Sequence, residues 1–215
     1  MSATVATVLP RVHAVTNDEI LADPGFLPRA TTIMRALGTR GAVHLRGHRS
    51  RGALLHTLAT TLMDLHRETG CWLIINDRVD VALSVGARAI QLTSTSLPLV
   101  DVRALVPDAR IGASVHADAE AESAADEGAE WVVAGNVFGT GTHLGRAGRG
   151  SGFLRGIAAA GLPVVAIGGV RPDDVHDLRN AGAYGVAVIR GIWGADDAEE
   201  AATRYLSIYD PLGRA

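Results

Sequence analysis

Short runs of apolar, β-branched residues recur along the chain, each followed by a longer segment whose apolar positions have helical spacing. The runs are RVHAVT (11–16), GAVHLR (41–46), WLIIN (72–76), AIQLT (89–93), RIGASV (110–115), EWVVAGNV (130–137), PVVAIGG (163–169) and YGVAVIR (184–190). Their continuity predicts strands buried on both faces, as in a parallel sheet. Between them, a segment such as ALLHTLATTLMDLHRETG (53–70) spaces its leucines three and four apart and ends on Gly70, suited to a helix C-cap. Eight strand–helix units in 215 residues predict a single α/β domain, a (β/α)8 TIM barrel with its core over about 11–208. An open doubly wound sheet is the alternative, and eight strands would be unusual for it in so short a chain.

The exceptions inside the runs are polar: His13, His44, Arg46, Asn76, Gln91 and Thr93. Residues two apart on a strand share a face, so these groups predict a common polar face inside the barrel. Left unpaired, each would cost roughly 1–3 kcal/mol on burial. His116 ends the fifth run immediately before a helical segment, which places it at the C-terminal rim where barrel enzymes carry their chemistry.

Composition narrows the function classes. Hydrophobic content of 47% and charged content of 20% suit a soluble globular chain. A net charge of -3 without basic runs argues against nucleic acid as a partner. No apolar run approaches the ~20 residues needed to cross a bilayer, and the first residues do not read as a signal peptide, so no membrane role is expected. The single Cys71 fits a reducing, cytoplasmic setting and reads as an inert core thiol.

VVAIGGV ends a strand on Gly168 and Gly169 ahead of a helix start, and the eighth run ends at Arg190. Loops after strands seven and eight of such barrels frequently hold a phosphate, which makes these three residues the candidate phosphate site. The stretch FGTGTHLGRAGRGSGF (138–153) carries Thr140, Thr142, His143, Arg146 and Arg149 and reads as a lid over an anionic ligand. Metal binding finds little support: His44 and His48 lack a third ligand, and Asn76-Asp77 could offer one magnesium-type oxygen ligand. No nucleophile elbow, no GxGxxG after the first run and no pair of carboxylates at strand ends are present.

HAVTND, HLRGHRS, INDRVDVAL, IGASVH, GNVFGTGT, VVAIGGVRPDDV and GAYGVAVIRGIW stand in an order and spacing that resemble the thiamine phosphate synthase and thiazole tautomerase (TenI-type) superfamily over about residues 11–208. The resemblance implies a (β/α)8 barrel, a homodimer, and substrates that are thiazole or pyrimidine phosphates of thiamine biosynthesis. Synthases of that superfamily typically carry a lysine where this chain has His48 and another where it has His143. Their Gly-Gln-Glu-Asp segment, whose aspartate helps hold magnesium, is replaced by Thr93-Ser94-Thr95-Ser96. His13, His44, Arg46 and His116 look like the tautomerase branch, although Asn136 and Arg190 stand where that branch usually has histidine and serine.

The expectation is therefore a thiazole tautomerase, an isomerase that aromatises a carboxythiazole phosphate, with His116 as the acid/base group the resemblance implies. A ring nitrogen with a pKa of ~6.5 can take and return a proton near neutrality. Gly168, Gly169 and Arg190 would hold the phosphate, and Arg46, Asn76, Thr140, Thr142 and His143 would position the ring and carboxylate. No cofactor is expected. Two further readings stay open: a thiamine phosphate synthase, which would bring magnesium, and a non-catalytic protein that binds a phosphorylated thiamine intermediate.

Overall fold

A computed structural model of the chain describes residues 8–139 and 148–209. Eight parallel strands close into a barrel in sequence order, with β1 paired to both β2 and β8. They are β1 (Val12–Val15), β2 (Gly41–Leu45), β3 (Trp72–Asn76), β4 (Ala89–Leu92), β5 (Arg110–Val115), β6 (Trp131–Gly135), β7 (Val164–Ile167) and β8 (Ala183–Val188). All eight expected runs form strands, and the fold is the (β/α)8 barrel. The seventh and eighth strands stop short of the expected ends for a local reason. Gly168 and Gly169 adopt φ of +109° and +64°, which breaks the ladder, and Arg190 already opens the short helix α9 (Arg190–Trp193).

Helices wrap the outside. The longest is α3 (Gly52–Thr69), closed by Gly70 in the left-handed region with its N–H on the His66 carbonyl. The helix after the fifth strand, α6, spans Asp118–Asp126. Residues alternate between two cores: Leu73 and Ile75 of β3 pack outward with the helices, whereas Trp72 and Ile74 point into the barrel with Trp131, Val133 and Val165. Among the described residues, no helix is long and apolar enough to cross a membrane. Cys71 is buried and its thiol is pushed up by burial, so it stays protonated as expected of a core residue.

The inner core closes the N-terminal end of the barrel. Trp72 and Trp131 meet edge to face with centroids 6.5 Å apart. Gly112 on β5 is required there, because a Cβ would come within 2.1 Å of the Trp131 ring. Apolar filling below leaves the polar inward positions of β2 to β5 facing the C-terminal mouth.

Candidate active site

The mouth holds a cavity of about 1130 Å³ lined from every strand end. His13, His44, Asn76 and Gln91 are buried and inward-facing, as the alternation predicted. None of the four is left unpaired. His13 Nε2 lies 3.0 Å from the Pro10 carbonyl, His13 Nδ1 lies 2.8 Å from His44 Nε2, and His44 Nδ1 lies 2.9 Å from the Asn76 amide. Burial pushes the His13 imidazole down to about 4, against the opposing effect of its bond to Pro10. His44 is also held well below the ordinary range, first by burial, then by His13 and Arg46. On a second chain the Trp131 indole N–H donates to Gln91 Oε1 at 2.8 Å, and Gln91 Nε2 donates to Ser114 Oγ at 3.1 Å. Of these residues His44, Asn76, Gln91 and Ser114 line the cavity.

Arg46 leaves β2 into the mouth, and its Nη2 donates to His48 Nε2. Burial lowers the Arg46 guanidinium, while Asp77 and Asp18 pull it back up. The loop after β2 is gathered by Asp18, at the start of α1 (Asp18–Ala22). Its carboxylate accepts from His48 N at 3.2 Å, Arg49 N at 3.0 Å and Ser50 Oγ at 2.7 Å. Burial alone would raise the Asp18 carboxyl, but these donors outweigh it and hold it below the usual range. Arg49 thereby joins Arg46 along one cationic arc of the cavity, with His48 between them.

Gly168, Gly169, Arg171 and Arg190 form another arc on the same cavity, joined by Arg204 from α10 (Ala198–Tyr209). The two glycines are demanded by the fold itself. Besides the positive φ, a Cβ on Gly168 would meet Asn136 Oδ1 at 2.1 Å, and one on Gly169 would meet the Gly139 carbonyl at 2.8 Å. Their small size leaves the backbone open to a ligand. Arg171 is steadied by Asp174 at 3.3 Å.

His116 stands exposed at the rim, lining the cavity. Its Nδ1 lies 2.6 Å from the Gly135 carbonyl, which can only accept, so Nδ1 is the donor in this contact. Its backbone N–H is capped by Glu120 Oε2 at 2.5 Å. Thr140, Thr142, His143 and Arg146 of the expected lid lie outside the described residues. Arg149 is described, and it sits over the Phe153 ring at 4.9 Å.

Magnesium, which the resemblance attaches to the synthase branch, can be tested against the donors present. Asp77 Oδ1 accepts from Thr93 N at 3.1 Å, from Thr93 Oγ1 at 2.7 Å and from Ser96 Oγ. Ser96, at the position matching the family's metal aspartate, thus spends its hydroxyl on the very carboxylate it would have to assist. Asp77 is not among the described residues lining the cavity. These residues do not fit a two-carboxylate magnesium site.

Against this geometry, the chain matches the family model described as thiamine monophosphate synthase over residues 12–192. A thiamine-phosphate synthase of Methanoculleus marisnigri is 40% identical over 173 residues, covering 79% of this chain and 82% of that protein. One from Pyrococcus furiosus is 33% identical over 195 residues, covering 90% and 94%. A solved thiamine phosphate pyrophosphorylase from Pyrococcus furiosus superposes with a TM-score of 0.82 at 31% identity, over 94% of this chain and 97% of that one.

These relatives overturn the tautomerase expectation: they carry the synthase name, a transferase activity, and the isomerase assignment falls with it. The role of His116 as carrier of a thiazole proton is withdrawn for the same reason. The error has a physical origin. The synthase-type cations were sought only at positions 48 and 143, one by one, whereas the folded mouth draws Arg49, Arg171 and Arg204 from loops and a helix. Asp18, Arg49, Ser114 and Arg204 were all missed. Asn17-Asp18 directly follows the first run and Arg49 adjoins His48, so a helix N-cap beside a basic loop was the available signal. Nothing local marks Arg204.

Proposed function

Because the chain belongs to the thiamine monophosphate synthase family, we propose that it joins a thiazole phosphate to a hydroxymethylpyrimidine diphosphate, forming thiamine phosphate and releasing diphosphate. The observation that carries this reading is that one cavity brings together two cationic arcs, Arg46/Arg49 and Arg171/Arg190/Arg204 beside Gly168-Gly169. Two anionic substrates require two such arcs, and a single monophosphate substrate requires one.

In this reaction the thiazole nitrogen attacks the methylene carbon of the pyrimidine. The C–N bond forms, the C–O bond breaks, and both of its electrons leave with the diphosphate. Charge therefore grows on the departing oxygens, where fixed guanidinium groups stabilise it most. Arg46, half-buried and backed by Asp77 and Asp18, would take that task together with Arg49, whose backbone N–H is held by Asp18. Gly168, Gly169 and Arg190 would receive the thiazole phosphate. Asn76 and the Ser114 hydroxyl would set the pyrimidine ring between the two ends. His116 would contribute its ring at the rim of the same mouth.

We also read the chain as a homodimer. Leu54 of α3, Leu83 of α4 (Val79–Val85), Leu97, and Val100 and Leu105 of α5 (Leu99–Leu105) are exposed along consecutive outer helices. Light scattering that returns a monomer mass at micromolar concentration would reject it.

The direct test incubates the protein with both substrates and measures thiamine phosphate and diphosphate in equal amounts. Product in wild type that falls in Arg46→Ala supports the assignment. Binding of both substrates without product would instead leave a binding-only role.

A further inference from the structure

Two hydrogen-bonded chains cross the barrel interior, and each begins at a group that can act in one sense only. The first begins at the Pro10 carbonyl, an acceptor without a proton. It obliges His13 Nε2 to carry the hydrogen at 3.0 Å. In a neutral ring His13 Nδ1 is then an acceptor, so the hydrogen in the 2.8 Å contact belongs to His44 Nε2. Neutral His44 is left with a lone pair on Nδ1, facing the Asn76 amide at 2.9 Å. Only the amide NH2 can fill that contact, and the assignment of O and N in an amide follows the network. The carbonyl oxygen of Asn76 is therefore the terminal atom turned to the cavity. Keeping the oxygen on His44 instead would require one of two fully buried imidazoles, side by side, to hold a positive charge. Burial lowers both of them, so that state is disfavoured.

The second chain begins at the Trp131 indole, which only donates. It fixes Gln91 Oε1 as the acceptor at 2.8 Å, so Gln91 Nε2 donates to Ser114 Oγ at 3.1 Å. Ser114 Oγ accepts from below and keeps its own hydrogen for the cavity.

We propose that His13–His44 and Trp131–Gln91 act as positioning residues that set the hydrogen-bonding polarity of the cavity, with Asn76 presenting an acceptor and Ser114 a donor. The ligand that satisfies both is a flat heteroaromatic ring with an exocyclic N–H donor and a ring-nitrogen acceptor, as in a 4-aminopyrimidine. The choice of ligand rests on the reading of the site given above, whereas the polarity itself does not. An acceptor at Asn76 disfavours a phosphate oxygen there and leaves the anionic groups to the arginine arcs.

The test has two arms. In ligand-free, ¹⁵N-labelled protein, couplings across N–H···N bonds are expected between His44 Nε2 and His13 Nδ1 and between Asn76 Nδ2 and His44 Nδ1. A hydrogen found on His44 Nδ1 with no coupling to Asn76 overturns the proposal. In the second arm, binding of 4-amino-5-hydroxymethyl-2-methylpyrimidine is compared with that of its desamino analogue. Wild type is expected to prefer the amino compound about tenfold, and Asn76→Leu to lose the preference while still binding inorganic diphosphate. Equal binding by wild type, or a preference that survives in Asn76→Leu, sinks the ligand assignment. Absence of thiamine phosphate formation with the N–H···N couplings intact would fail the synthase reading and leave the polarity standing.

Discussion

Acid should weaken this protein through two histidines that are neutral because they are buried. The His13 pKa falls from 6.5 to about 4 in the folded state, with burial as the main cause, and His44 shifts in the same direction. A depressed histidine contributes its full stability above the unfolded pKa and loses it as pH falls, because the unfolded chain binds the proton first. For His13 the loss begins near pH 6.5, reaches roughly 2 kcal/mol at pH 5 and levels off near pH 4 at roughly 3 kcal/mol, using ~1.4 kcal/mol per pH unit. His44, pressed further by the positive charge of Arg46, adds to it. Against a total stability of ~5–15 kcal/mol this is a large share. The clean perturbation is His13→Gln. Its amide can donate to the Pro10 carbonyl and accept from His44 Nε2, yet it does not titrate. Urea midpoints measured from pH 7.5 to 4.5 should give a variant whose stability falls less steeply, by ~1.4 kcal/mol per unit between pH 6 and 5. Groups remote from position 13 contribute equally to both proteins and cancel, while His44, relieved of the His13 contribution, is less depressed in the variant and flattens its slope further. Identical slopes would mean that His13 titrates in the folded state as it does unfolded, and the reasoning from burial would be wrong.

Gly112→Ala forces a methyl to within 2.1 Å of a Trp131 ring that is pinned by Gln91. A loss on the order of 3 kcal/mol is expected from overpacking and the strained hydrogen bond, and a urea midpoint together with the near-UV tryptophan signal would report it. Arg46→Ala should lower kcat/KM by roughly 100-fold and Arg46→Lys by roughly 10-fold, since lysine keeps the charge without the planar fork; steady-state diphosphate release measures both. Ser96→Asp places a second carboxylate beside Asp77 in exchange for a hydroxyl donor. The variant should lose about 1 kcal/mol without metal and regain it in millimolar magnesium, whereas wild-type Tm should be indifferent to magnesium.

Continuous apolar runs were enough to locate the eight strands, and two-residue alternation to find the shared polar face of His13, His44, Asn76 and Gln91, because both are local properties of an extended chain. The partners of that face were not legible. His13 and His44 lie 31 residues apart, and Trp131 and Gln91 lie 40 apart, so closure of the barrel decides who meets whom. The strand ends at Gly168 and Arg190 were placed too far along, since apolar content does not report a positive φ or an early helix start.

The branch of the family was misjudged on similar grounds. Comparing positions one at a time registers a lost lysine at position 48 and a lost aspartate at position 96. It cannot register that Asp18 folds Arg49 into the same arc, or that α10 brings Arg204 across to the other. By itself the sequence determined the barrel, its inward polar face and the superfamily, all of which follow from spacing along a strand or from ordered motifs. Tertiary structure alone decided the charge inventory of the mouth and the direction of each buried hydrogen bond. Electrostatics and proton ordering depend on distances through space between groups far apart in the chain.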